Sequence, residues 1–134
     1  MKDSVAGQIN PDSVITALLV YLSPEFPNAP DLIHETIYGL QQEGKYHLLL
    51  DGFEFIKYSR CHYSPLLGRI LNRLQEARLL SSRNPDYAVY QVKPESKDAI
   101  ESYYLNEGKA LHDYRGQLKG IATQLRKELA HARK

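Results

Sequence analysis

The chain's single thiol, Cys61, is followed directly by His62, and a thiol beside an imidazole is the pairing from which a cysteine nucleophile is built. Neighbouring residues of an extended segment project to opposite sides, so this pair needs a base from elsewhere in the fold. The five histidines, His34, His47, His62, His112 and His131, include no i, i+4 pair, the spacing that puts two imidazoles on one helix face to grip zinc. His34-Glu35 lacks the second histidine of a zinc-protease motif. A Gly-rich phosphate loop, a Gly-x-Ser-x-Gly elbow and a dinucleotide fingerprint are all missing. Enzymatic chemistry, a metal site and a cofactor are therefore not expected.

Recognition chemistry is better represented. Arg69, Asn72 and Arg73, with Glu76, fall on one side of a segment whose other side carries Leu67, Ile70, Leu71 and Leu74. Ser64-Pro65 opens that segment as a helix: the serine hydroxyl accepts a free amide hydrogen, and proline at the first helical position has none to waste. Arginine and asparagine are the side chains that read guanine and adenine edges bidentately. The same pattern also describes an ordinary surface helix, so context must separate the two readings.

Charge supplies some context. The net charge of +1 conceals an uneven distribution. Residues 1–56 hold two basic and eight acidic side chains, a net of −6. Residues 57–93 hold seven basic and two acidic ones, a net of +5, and residues 94–134 a net of +2. Five of the seven middle cations are arginines (Arg60, Arg69, Arg73, Arg78 and Arg83), whose flat forks suit phosphate and guanine. A polyanion such as double-stranded DNA is the indicated partner, weakened if the acidic first third shares its face.

At 134 residues, with 43% hydrophobic and 25% charged side chains, the chain has the balance of a soluble globular protein. No apolar run reaches the roughly 18 residues of a membrane span, and Met1–Gly7 lacks the apolar centre of a secretion signal. A lone cysteine suits a reducing cytoplasm. Ten tyrosines and no tryptophan point to half-buried positions where a ring packs and its hydroxyl stays wet.

The elements that position Arg69 and its neighbours follow from local signals. Residues 1–9 are a lead-in. Asn10-Pro11-Asp12 starts a helix with Val14, Ile15, Leu18, Leu19 and Leu22 inward, stopped by Ser23-Pro24. A stiff loop over 24–29 precedes a second helix from Pro30 to about Glu43, capped by Gly44. Asp51-Gly52 between apolar runs signals a hairpin; alternatively Leu48–Leu50 extend helical packing and only Phe53–Tyr58 is a strand. At least one strand is expected, because Phe53 and Phe55 alternate with Glu54. After the central helix, a strand over 79–82, a turn at Arg83-Asn84-Pro85-Asp86 and a returning strand over 87–92 make a β-hairpin. Helix, helix, strand, helix and hairpin is the order of a winged helix-turn-helix, a mainly α fold with a small β-hairpin wing.

Residues 94–134 read as a C-terminal helical extension beyond a winged-helix domain over 1–93. Leu111, Tyr114, Leu118, Ile121 and Leu125 recur every three and four residues, a coiled-coil-like seam. Gly116 and Gly120 leave room for another helix to approach. The helix either packs on its own domain or pairs with a second copy; its length of roughly 20 residues, about 30 Å, favours a homodimer. The basic end, Arg126-Lys127 and Arg133-Lys134, reads as a solvated helix terminus.

Tyr58, then Tyr63-Ser64-Pro65, then Leu67, Leu71, Leu74, Leu79 and Leu80 make a run that resembles a segment of small prokaryotic winged-helix proteins of the YwgA-like type and, more remotely, Panacea-type antitoxin domains. The resemblance spans roughly residues 11–93. Arg60-Cys61-His62 departs from it, standing where that group carries a Gly-containing turn, and the C-terminal extension lies outside it. It implies a fold first, and a regulatory or toxin-neutralising role second.

Together these features predict a cytoplasmic, winged-helix DNA-binding regulator of transcription acting as a homodimer. Arg69, Asn72 and Arg73 would reach base edges, while Arg60 and the wing-tip Arg83 hold phosphates. The alternative is a non-enzymatic adaptor or antitoxin-like protein whose exposed tyrosines (Tyr63, Tyr87, Tyr90, Tyr103, Tyr104) build a protein interface.

Overall fold

The Asn10 side-chain oxygen accepts the Asp12 N–H at 2.9 Å and Pro11 takes the first helical position, so α1 runs Pro11–Leu22 as its sequence predicts. The structure is a computed structural model that describes residues 9–82 and 89–130. Residues 1–8 of the expected lead-in over 1–9, the turn at 83–86 with Arg83, Tyr87, and the terminal Arg133-Lys134 lie outside the described residues. Val14, Ile15, Ala17, Leu18, Leu19, Val20 and Leu22 are all buried. A helix apolar on nearly every side belongs at the centre of a fold, and α1 is that centre.

β1 (Glu25–Pro27) follows, then α2 (Pro30–Glu43), which ends on Gly44 at φ 74°. Next come the one-turn α3 (His47–Leu50), β2 (Ile56–Tyr58), β3 (Cys61–Tyr63), α4 (Pro65–Glu76), β4 (Ser81–Ser82) and β5 (Val89–Gln91). α5 (Pro94–Ile100) continues into a π-helical turn, Glu101–Leu105; a 3-10 turn at His112–Tyr114 leads into α6 (Arg115–Leu129). The chain is mostly helical with a small antiparallel sheet, as the sequence predicts at that level.

The strands pair differently from the predicted pattern in two places. Residues 24–29 contain β1, which pairs antiparallel with β5 so that the three-stranded sheet runs β1-β5-β4. Phe26 and Tyr90 face each other across it with ring centroids 5.3 Å apart, a contact period-two alternation could not have announced from so short a run. In the 47–58 region the helical alternative holds for His47–Leu50, and Asp51-Gly52 ends that turn of helix rather than joining strands. The hairpin is β2–β3, with Tyr58 opposite Cys61 and Ser59-Arg60 at its tip. Gln41 explains the shift: its Nε2 donates to the carbonyls of Leu50 (2.8 Å) and Phe53 (2.7 Å), binding that stretch to α2 as a loop.

α6 corrects the dimerisation expectation. Leu111, Leu118, Ile121 and Leu125 are at most 2% exposed within one copy of the chain, and Tyr114 is packed against the same core. α6 lies on α1 and α2. The seam is periodic because it faces two helices of its own fold, which demand the same spacing as a partner would. At Gly120 the approaching group is the Tyr46 ring: a Cβ there would stand 2.5 Å from the tyrosine oxygen. Arg126 completes the union, donating to the Tyr21 carbonyl (3.0 and 3.2 Å) and the Ser23 carbonyl (3.0 Å), groups that the end of α1 leaves without helical partners. Residues 94–130 therefore belong to the same continuous core as residues 9–82 and 89–93.

Leu118→Ala should lower unfolding free energy by roughly 2–5 kcal/mol, the usual cost of a cavity in a packed core, read by urea denaturation. A change below about 0.5 kcal/mol, the scale of a surface substitution, accompanied by loss of a dimer, would return the seam to an intermolecular role.

Candidate nucleic-acid interface

α4 is placed by its first residues. The Ser64 hydroxyl accepts the Leu67 N–H at 3.1 Å and Pro65 follows, the predicted cap. What the sequence did not announce is the partner of Ser64's own backbone: its N–H donates to Nδ1 of His34 at 3.1 Å. Both groups are buried, His34 at 4% and Ser64 at 0% exposure. The His34 ring is stacked on Tyr63 with centroids 4.6 Å apart. An imidazole that accepts through Nδ1 carries its proton on Nε2 and is neutral. Burial holds the His34 pKa below its ordinary value, against the opposing pull of Asp31 and Glu35.

One residue along α2, Glu35 grips the β2–β3 hairpin. Its carboxylate accepts the His62 backbone N–H and lies 3.2–3.3 Å from His62 Nδ1. Tyr38, one turn on, covers the other side of His62 with rings nearly parallel (8°) and centroids 3.7 Å apart, and meets Phe55 edge-on at 5.3 Å. Burial alone would raise the Glu35 pKa; the His62 backbone and ring, helped by Lys57, outweigh it and hold the carboxyl below its ordinary value. The Cys61-His62 pair is thus divided: His62 turns to Glu35, while strand alternation sends Cys61 to the other face. Among the described residues, no three His, Cys, Asp or Glu side chains converge as a metal site.

From this anchored start, α4 buries Leu67, Ile70, Leu71 and Leu74 and exposes Arg69, Asn72, Arg73 and Glu76. The exposed side chains do not remain equivalent. Arg73 is ion-paired through one terminal nitrogen with Asp12, in the first turn of α1. Sequence reasoning placed Arg73 free at a base edge; the structure ties it to an acid from the negatively charged first third. Arg69 and Arg60 are exposed and make no ion pair with another described residue. Arg60 sits at the hairpin tip ahead of α4, with Ser59 at φ 58° turning the chain.

Arg78, counted among the middle-segment arginines but given no contact from sequence, has an unusual backbone. It follows α4 at φ 65°, the left-handed position that normally holds glycine. The Leu79 and Leu80 N–H groups both reach back to the Leu74 carbonyl, at 3.0 and 3.2 Å, so the turn is a helix-ending motif with arginine in the glycine place. Its side chain is exposed. Of the tyrosines expected at a surface, Tyr63 (41%) and Tyr103 (70%) are exposed, and Tyr104 is partly buried. Tyr90 is a correction: it is 3% exposed because β5 is the middle strand of its sheet.

Compared with protein-family models, curated proteins and solved structures, the chain matches none.

Two outcomes follow for the anchor. His34→Ala strands the buried Ser64 N–H and should cost about 2 kcal/mol. Because the folded-state pKa of His34 lies below its ordinary 6.5, its contribution is complete above that pH and is lost as pH falls through the lower folded value. His34→Asn keeps an acceptor near the Nδ1 position without a titrating ring, and should flatten the loss of stability as pH falls below about 6.5. Denaturation midpoints across that range that are parallel in parent and variant would contradict this. For the α4 terminus, Arg78→Gly should raise stability by about 0.5–1 kcal/mol through relief of the left-handed residue.

Proposed function

We propose that this chain is a cytoplasmic, non-enzymatic winged-helix protein that binds double-stranded DNA and regulates transcription, as the YwgA-like resemblance also suggests. The sheet order supports the fold reading: the short strand after the first helix adds to the strands that follow α4, and α4 stands in the position of a reading helix. The observation that carries the functional reading is the solvent face of α4. Arg69 and Asn72 lie exposed on a helix whose start is fixed by buried hydrogen bonds. A base-reading side chain needs that kind of fixed support, since displacement of the helix misplaces every contact.

Arg60 and Arg78, at the two ends of the segment, take the phosphate-holding role, and Arg83 joins them as the wing residue of the proposal. Arg78 accounts for its own strain: a cation kept where glycine is cheaper places charge beside the helix that reads. Arg73 takes a secondary part while Asp12 holds it. With the α6 seam consumed by the core, any second copy must use another surface. The free thiol of Cys61 fits a reducing compartment. Among the described residues no helix is long and apolar enough to cross a membrane.

The adaptor reading keeps one observation in its favour, the exposure of Tyr63 and Tyr103, because tyrosine is enriched at protein interfaces. Binding to mixed-sequence duplex DNA across a salt series separates the two. The DNA reading predicts a steep loss of affinity with salt. Arg69→Ala should weaken binding by roughly 1–3 kcal/mol, while Arg60→Ala, which removes a phosphate contact, should reduce the salt slope by about one. Asp12→Asn, which releases Arg73, should strengthen binding by roughly severalfold. Salt-insensitive retention that is equal for the parent, Arg69→Ala and Asp12→Asn would leave the adaptor as the surviving reading.

A further inference from the structure

Behind the solvent face of α4 lies a groove of about 430 Å³ between its C-terminal end, α1 and the α5–π segment, within the roughly 300–1,000 Å³ of small-molecule sites. Its floor is dry. Leu74 and Ile100 are 4% and 3% exposed, and the Thr16 hydroxyl is already spent on the Asp12 carbonyl at 2.8 Å. One wall is aromatic. The π-helical turn that ends α5 sets Tyr103 and Tyr104 side by side, rings edge-on at 84° and 4.7 Å. Tyr103 stands 70% exposed on the rim. The charged side chains of the lining are paired, where Asp12 and Arg73 meet.

From this arrangement we propose that the groove is a binding site for small aromatic monocarboxylates. The flat ring lies over Leu74 and Ile100 against the tyrosine wall, and the carboxylate takes the free edge of Arg73. The sign of the ligand follows from the charges present. Asp12 engages one terminal nitrogen of Arg73, leaving the Nε and the other terminal nitrogen with no described partner to form a second, forked contact. A cation would instead meet both the guanidinium and the positive end of α1, where Asp12 already sits. Two positive features against one carboxylate tilt that end toward an anion. Arg73 is shared with the proposed DNA face, but the groove and its tyrosine wall are not, so ligand binding measured without DNA tests the site whether or not α4 reads DNA.

The test is titration of the full chain with 2-naphthoate, 2-naphthol and the cation 2-naphthylmethylamine, followed by amide shifts in two-dimensional NMR. The expected result is saturable 2-naphthoate binding, with shifts centred on Ala77, Leu79, Ala99 and Ile100. Binding of naphthol and of the amine should be at least fivefold weaker. Ala99 is exposed in the groove wall, so Ala99→Trp should fill the site without disturbing the core and weaken naphthoate at least tenfold. Arg73→Met should abolish the preference for naphthoate over naphthol while leaving naphthol binding unchanged. Absence of saturation, shifts centred elsewhere, equal binding of the three probes, or insensitivity to Ala99→Trp would each overturn the proposal.

Discussion

The arrangement of this fold depends on one buried hydrogen bond between a neutral imidazole and a backbone amide. Ser64 N–H lies where the β2–β3 hairpin gives way to α4, a point at which neither a strand ladder nor a helix supplies an acceptor. His34 supplies it at 3.1 Å, and the Ser64 hydroxyl in turn closes the first turn of α4. Left unmet, a buried amide costs about as much as a modest fraction of a small domain's stability. The origin of α4 is therefore fixed by α2, and its exposed side chains inherit their positions from that helix.

Glu35 and Tyr38 extend the same logic to the hairpin. A carboxylate that binds both the backbone and the ring of His62, with an aromatic lid over that ring, holds a two-stranded ribbon that would be marginal alone. Three side chains of α2, at positions 34, 35 and 38, thus organise everything from Ile56 to the start of α4. The acidic first third of the chain carries out structural work in this region, and at Asp12 it reaches further, neutralising one of the arginines that the +5 middle segment presents. The charge asymmetry of the sequence is folded partly against itself.

Much of this was legible beforehand, for local reasons. Caps at Asn10, Ser64 and Gly44 act within a few residues, so the starts of α1 and α4 and the end of α2 could be read directly, as could the apolar face of α4. What escaped reading depends on partners distant in sequence. β1 is three residues long and exists because β5 lies beside it. The 3–4 repeat of Leu111 to Leu125 states that helical neighbours cover it, without stating whose. His34, Glu35 and Tyr38 did carry a signal, an imidazole and a carboxylate side by side with an aromatic one turn later on the same helix. Periodicity analysis passes over polar residues of that kind. Arg73 and Asp12, 61 positions apart, offered none.

The most direct measurement is the protonation state of His34, read from imidazole nitrogen and proton shifts in a long-range 1H–15N correlation spectrum through a pH titration. The account predicts a neutral ring at pH 7 with its proton on Nε2 and a hydrogen-bonded, unprotonated Nδ1, titrating below the ordinary imidazole value. A proton on Nδ1, or a charged imidazolium at neutral pH, would contradict it, because the amide that starts α4 would then have lost its acceptor.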